Sequence, residues 1–186
     1  MKSKGASSEF AKYVSQNVFA MIGMSCYILA DTFFISKAVG ANGITALNLV
    51  LPLYNLIFAI GSMIGVGSAI KFAIAKNQKE SNKHYFFNAM FFTTVFGMIF
   101  MAIGILAPEK LVELLGGSRE IVAGGAPYPK IFFLFSPVFM WNYVCNAFVR
   151  NDGSPSIAMT ATVLSSLFNI VMDWVLMFPL KMGMQG

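Results

Sequence analysis

The sequence predicts an all-α polytopic membrane protein, a single membrane domain over residues 1–186 with about five transmembrane helices. Composition is the first reason: 57% of residues are hydrophobic and only 11% are charged. Counting Gly and leaving out Tyr, the apolar share is about 62%, against roughly 45–50% in soluble domains. The second reason is the arrangement, since the apolar residues fall in long runs separated by short polar segments. At roughly 20 apolar residues per crossing, the supply covers about five spans and leaves no separate soluble catalytic domain.

The first span is expected over 13–35, behind the basic leader MKSKGASSEFAK. It exceeds the 7–15 residues of a signal-peptide core and lacks a small-residue cleavage site, so it reads as a retained helix. The second span, 47–75, is longer than the hydrocarbon core and needs tilt or a kink at Pro52. KNQKESNKHY is the most polar segment and must lie in water. The third span covers 86–107. Beyond it Leu111, Leu114 and Leu115 recur at helical spacing beside Glu109 and Glu113, which predicts a short helix at the interface. The fourth span, 131–149, contains Pro137, and the fifth covers 156–178. Between them RNDGSPS reads as a turn by its Asn, Asp, Gly and Pro content.

Charge orients these spans. Eight of the 13 Lys and Arg residues fall on the side that holds the leader, the 76–85 loop and the 150–155 turn, and five fall on the other. The richer side is expected in the cytoplasm, with the N-terminus, in a multi-pass protein of a cell membrane. The net charge of +5 is too dispersed for a nucleic-acid surface. Cys26 and Cys145 lie in apolar stretches and read as buried thiols rather than a disulfide. With one histidine, His84, a His-based zinc site is excluded. No nucleophile–base pair or Gly-rich phosphate loop occurs, so neither an enzyme nor an organic cofactor is expected.

Two carboxylates, Asp31 and Asp173, lie within apolar spans, where a charge costs at least about 2.5–3.5 kcal/mol on insertion scales. Under the expected topology each sits roughly 6–8 Å below the outer boundary, counting about 1.5 Å per residue. Thr162, Ser166, Asn169 and Asp173 share one helical face. Tyr27, Met24 and Asn17 form a stripe below Asp31, and Asn142 and Asn146 are one turn apart. Asp31, Asn169 and Asp173 are the candidate ion and substrate site, and Tyr27, Met24, Asn142, Asn146 and Ser166 are candidate cavity-lining residues. The pair would titrate as a unit and suits a proton, a sodium ion or a cationic ligand. The competing reading is that these groups only glue helices together, as amides and hydroxyls do in bilayers. The protein would then be a helical scaffold or assembly subunit. Gly61 and Gly65 form a G-x-x-x-G that most simply means close helix packing.

Several runs resemble the multidrug and toxic compound extrusion transporters, and more closely their bacterial branch of drug exporters. They are ADTFFISKAVGANGITALNLVLPLYNL, GVGSAIKFAIAKNQK, LLGGSREI and FVRNDGSPSIAMTATVLSSLFNIVMDWVLMFPLKMGMQG. In the last, R-x-x-G-x-P followed by N-x-x-x-D looks like the passage from the fourth to the fifth helix of that family. The resemblance implies two six-helix lobes around a central cavity, of which this chain covers the first five helices of the first. It implies a fragment whose partner is the remainder of the transporter. It also implies that Asn169 and Asp173 match the functional pair of the fifth helix, and Asp31 an acid of the first. The implied activity is antiport across a bacterial plasma membrane, with small organic cations exported against a proton or sodium gradient and no other cofactor.

Overall fold

The computed structural model describes residues 3–79, 81–114, 116 and 127–182. Among these residues the secondary structure is helical: α1 (Ser3–Ala38), α2 (Ala41–Asn77), α3 (Lys83–Leu106), α4 (Pro108–Leu114), α5 (Pro127–Leu134), α6 (Ser136–Asn151) and α7 (Pro155–Met177). Four stretches are long and apolar enough to cross a bilayer: Phe10–Ala38, Gly43–Asn77, Lys83–Leu106 and Pro155–Met177. In hydrocarbon every backbone N–H and C=O must be satisfied within the segment, which is why such runs become helices. The short α4 carries Leu111 and Leu114 of the expected interfacial helix; Leu115 lies outside the described residues, as does the LLGGSREI run after its first residue and apart from Gly116.

The stretch expected as one span over 131–149 is divided. Phe135 ends the ladder of α5, and α6 restarts with Pro137 in its first turn, where a missing N–H removes no helical bond. The buried Ser136 hydroxyl stitches the break, donating to the carbonyls of Phe133 (2.7 Å) and Gly97 (3.0 Å). A Cβ at Gly97 would lie 2.6 Å from the Pro137 Cα, so only a glycine on α3 admits the broken segment this close. Pro52, by contrast, leaves α2 continuous.

The helices pack as two units joined by thinner contacts. α2 lies against α6 along its length, and α3 packs on both; α1 lies against α7. The G-x-x-x-G motif works as close packing. A Cβ at Gly65 would stand 3.1 Å from the Val144 Cα, and one at Gly61 would stand 2.9 Å from the Tyr143 ring. Buried residues of the first unit include Ala69, Ala89, Val144 and Ala147, small enough for near backbone contact. Large apolar side chains meanwhile face outward, among them Leu29, Phe87 and Phe168. A surface of this kind suits lipid, which solvates such residues as well as a protein core does.

The 150–155 turn forms where it was expected. Gly153 takes φ 92°, a left-handed conformation that glycine adopts without strain, and Pro155 opens α7. Lys76, at the end of α2, forms an ion pair with Asp152 in this turn.

Candidate functional site

α1 and α7 run parallel, and their register sets the site. Gln16 donates to Ser156 (2.6 Å), a Cβ at Gly23 would meet Val163 at 3.5 Å, and the Phe34 and Phe178 rings meet edge to face at 5.8 Å. Partners rise together along both helices. Asp31 therefore stands level with Asp173, and the two carboxyl groups are close enough for their charges to interact. Both are half-buried, and among the described residues neither has a cationic partner, since the ion pair there is Lys76–Asp152.

Asn169 sits one turn before Asp173 on the same face. Among the described residues its amide forms no hydrogen bond to Asp173, and its Oδ1 is buried without a donor. A buried carbonyl oxygen left without a partner costs about 1–3 kcal/mol. A cation satisfies such an oxygen, and two carboxylates close by supply the charge.

Tyr27 lies one turn before Asp31, half-buried, within charge range of both acids and beside Tyr54 of α2. Met24 is half-buried on α1. Ser166 is buried at the α1–α7 interface, with its hydroxyl bonded back to the Thr162 carbonyl at 2.9 Å. That bond lies within α7 itself, and the side chain packs against α1, where a Cβ at Gly23 would stand 3.9 Å from its hydroxyl oxygen.

The two asparagines of α6 are not brought to the carboxylates. Asn146 donates to Thr162 (3.2 Å) and accepts from Arg150 Nε (2.7 Å). Thr162 lies roughly 16 Å below Asp173 along α7, at 1.5 Å per residue. Asn17 joins this lower cluster by accepting from Arg150 Nη1. Asn142 is exposed. Arg150 thus ties α1 and α6 together at the end of the bundle that holds the 150–155 turn.

Sequence reasoning missed Tyr54 and Tyr143. The Tyr143 hydroxyl donates to that of Tyr54 at 3.0 Å, across the α2–α6 interface. The only signal was a tyrosine inside each of two apolar runs, and tyrosine is common in membrane helices. Cys26 and Cys145 are free and exposed, so they form no disulfide, and they are not the buried thiols expected from their apolar runs.

A lipid-facing helical bundle that keeps two acids level with each other on neighbouring helices belongs to the class of polytopic membrane proteins with an intramembrane polar site. A model of the MatE family matches residues 17–175. The chain belongs to that family, the multidrug and toxic compound extrusion transporters. It is 26% identical to the multidrug export protein MepA of Staphylococcus saprophyticus, over 97% of this chain and 41% of that protein. It is likewise 26% identical to MepA of Staphylococcus haemolyticus, over 86% of this chain and 36% of that protein. A multidrug resistance MATE family transporter in an outward-facing conformation superposes with a TM-score of 0.82 at 27% identity, covering 93% of this chain and 39% of that one. The fold also matches the MATE multidrug transporter DinF-BH, with a TM-score of 0.84 at 24% identity over 94% of this chain and 40% of that one. The chain thus spans about two-fifths of the length of the relatives it matches, and corresponds to part of an N-terminal lobe.

Proposed function

We propose that this lobe forms the ion-coupling half of an antiporter that exports cationic amphipathic compounds against a proton or sodium gradient. The observation that carries the reading is the level pair Asp31 and Asp173, with the orphaned Asn169 oxygen one turn away. Acids that served only as helix glue would be held by a cation or a hydrogen-bond donor, and among the described residues neither Asp31 nor Asp173 has such a partner. A carboxylate held between helices binds a coupling ion in one state and releases it in another, so protonation or cation loss shifts the preferred packing of the lobe.

The α1–α7 unit touches the α2–α3–α6 unit through thinner contacts, which gives it room to move as a body. Alternating access requires one bundle to rock against another around a site near the midplane. Export is therefore assigned to the longer protein that carries this lobe. Multidrug export, the function named for both MepA proteins, agrees with this reading. No step calls for an enzyme nucleophile or an organic cofactor.

The test is transport by the complete protein in inside-out vesicles. An imposed proton or sodium gradient should drive accumulation of an organic cation, and dissipating that gradient should stop it. Vesicles that accumulate no cation under either gradient would contradict the antiport reading.

A further inference from the structure

We infer that the groove between the C-terminal ends of α1 and α7 holds the phosphate of an anionic phospholipid, gripped by Lys37 and Lys181. The groove lies past the acids, at the end of the bundle opposite the 150–155 turn, and the inference stands apart from the antiport reading.

The groove has a volume of about 360 Å³ and is lined by Lys37, Ala38, Met177, Phe178 and Lys181. That is the lower end of the roughly 300–1,000 Å³ of small-molecule sites, enough for a headgroup. Each helix end contributes one lysine. Lysines near a helix C-terminus commonly serve its last carbonyls, but here backbone N–H groups fill that role. Val39 and Gly40 donate to Ile35 (2.9 and 3.2 Å), while Phe178, Leu180 and Met182 donate to Trp174, Val175 and Leu176 (3.1, 3.1 and 3.0 Å). Among the described residues neither ammonium group has a carboxylate partner or a hydrogen-bond acceptor, the lysine so engaged being Lys76. Two positive charges on one groove attract an anion and repel an organic cation.

Lys181 takes φ 52°, in the left-handed region that glycine occupies without strain. The turn after α7 thus keeps a charged side chain at a position where its backbone is strained, as residues at ligand sites often are.

Below the lysines the surface is apolar and faces outward. Phe33 and Leu29 stand one and two turns before Lys37 on the same face of α1, and Trp174 stands one turn before Phe178 on α7; all three are exposed. The Lys37 Nζ lies 5.9 Å from the centre of the Phe33 ring. An amphiphile meets both parts, with its phosphate on the lysines and its acyl chains along the exposed side chains. Free phosphate shares the chemistry of the headgroup but leaves the apolar surface unused, so the lipid is the better fit.

The experiment measures lysine acetylation by a water-soluble succinimidyl ester, mapped by mass spectrometry, on the complete transporter that carries this lobe in nanodiscs. Adding phosphatidylglycerol to phosphatidylcholine should slow labelling of Lys37 and Lys181 by about 3- to 10-fold, since each lysine gains about 5-fold from an anionic lipid. Lys110, exposed on α4 at the same end of the bundle, should change by less than about 2-fold. Unchanged labelling of Lys37 and Lys181 would overturn the inference, and equal slowing at Lys110 would overturn it in favour of general attraction to a charged surface. The same slowing by millimolar inorganic phosphate in phosphatidylcholine alone would replace the lipid with a free anion. Lys37→Gln and Lys181→Gln change exposed side chains, so folding should survive. Each should reduce the protection of the remaining lysine to within about 2-fold. Full protection of one lysine without the other would show that they do not share a headgroup.

Discussion

Arg150 of α6 donates through Nη1 to the amide oxygen of Asn17 on α1, while its Nε donates to Asn146 on its own helix. One guanidinium thereby joins the two packing units at the end opposite the carboxylates. Asn146 passes the connection to α7 through Thr162. The clasp is made of a charged donor and neutral amide acceptors, so it holds the helices without competing for the acids above.

Removing this donor should loosen the bundle. Arg150→Met leaves two amide oxygens short of a partner, and the expected loss is about 1–2 kcal/mol, given the modest net value of hydrogen bonds between membrane helices. Asn17→Ala should cost less, and the double variant should lose less than the sum of the two. Thermal unfolding of the purified complete transporter, read as a double-mutant cycle, measures the coupling. Strict additivity would mean that the two side chains do not interact.

Two helical glycines should behave oppositely. Gly97→Ala places a Cβ 2.6 Å from the Pro137 backbone and should destabilise by at least about 1–3 kcal/mol, the usual range for overpacking. Gly67 has nothing within 4 Å of an added Cβ, so Gly67→Ala should be neutral or stabilise by up to about 1 kcal/mol through helix propensity. Equal effects in an unfolding assay would show that α3 and α6 do not approach as described.

From the charge distribution we predict a cytoplasmic N-terminus. In right-side-out vesicles, an impermeant thiol reagent should label a cysteine placed at Lys181 and should miss one placed at Ser81. Both positions are exposed, so access depends on side alone. The reverse pattern would invert the orientation.

The bundle was legible because hydrocarbon leaves a chain few options: runs such as 86–107 must be helical, and their length is set by the bilayer. The break at Phe135 was not, because Pro137 alone is compatible with a kinked but continuous helix. What fixes the break is tertiary, the Ser136 hydroxyl bonded to Gly97 on another helix. The carboxylate pair could be read because counting residues from the span ends gives depth, and parallel α1 and α7 preserve it. Asn146 was grouped with the acids through its spacing from Asn142. Periodicity gives a face of a helix but not its height against a neighbour, and antiparallel packing of α6 on α7 sets Asn146 beside Thr162 instead. Tyr54 and Tyr143 carried no pattern at all, since their relation exists only across the α2–α6 interface.

The central claim is that Asp173 carries the ion response, with Asp31 as the second carboxylate and Asn169 as the neutral oxygen beside them. The most direct measurement is gradient-driven export of an organic cation by proteoliposomes containing the complete transporter with Asp173→Asn. The amide is nearly isosteric and keeps an oxygen, so folding and insertion should be retained while the charge is lost. The expected result is that proton- or sodium-driven export disappears at normal expression, with Asp31→Asn the next most damaging change and Asn142→Ala and Asn146→Ala less so. Unchanged ion-driven export by a well-folded Asp173→Asn protein would contradict the account.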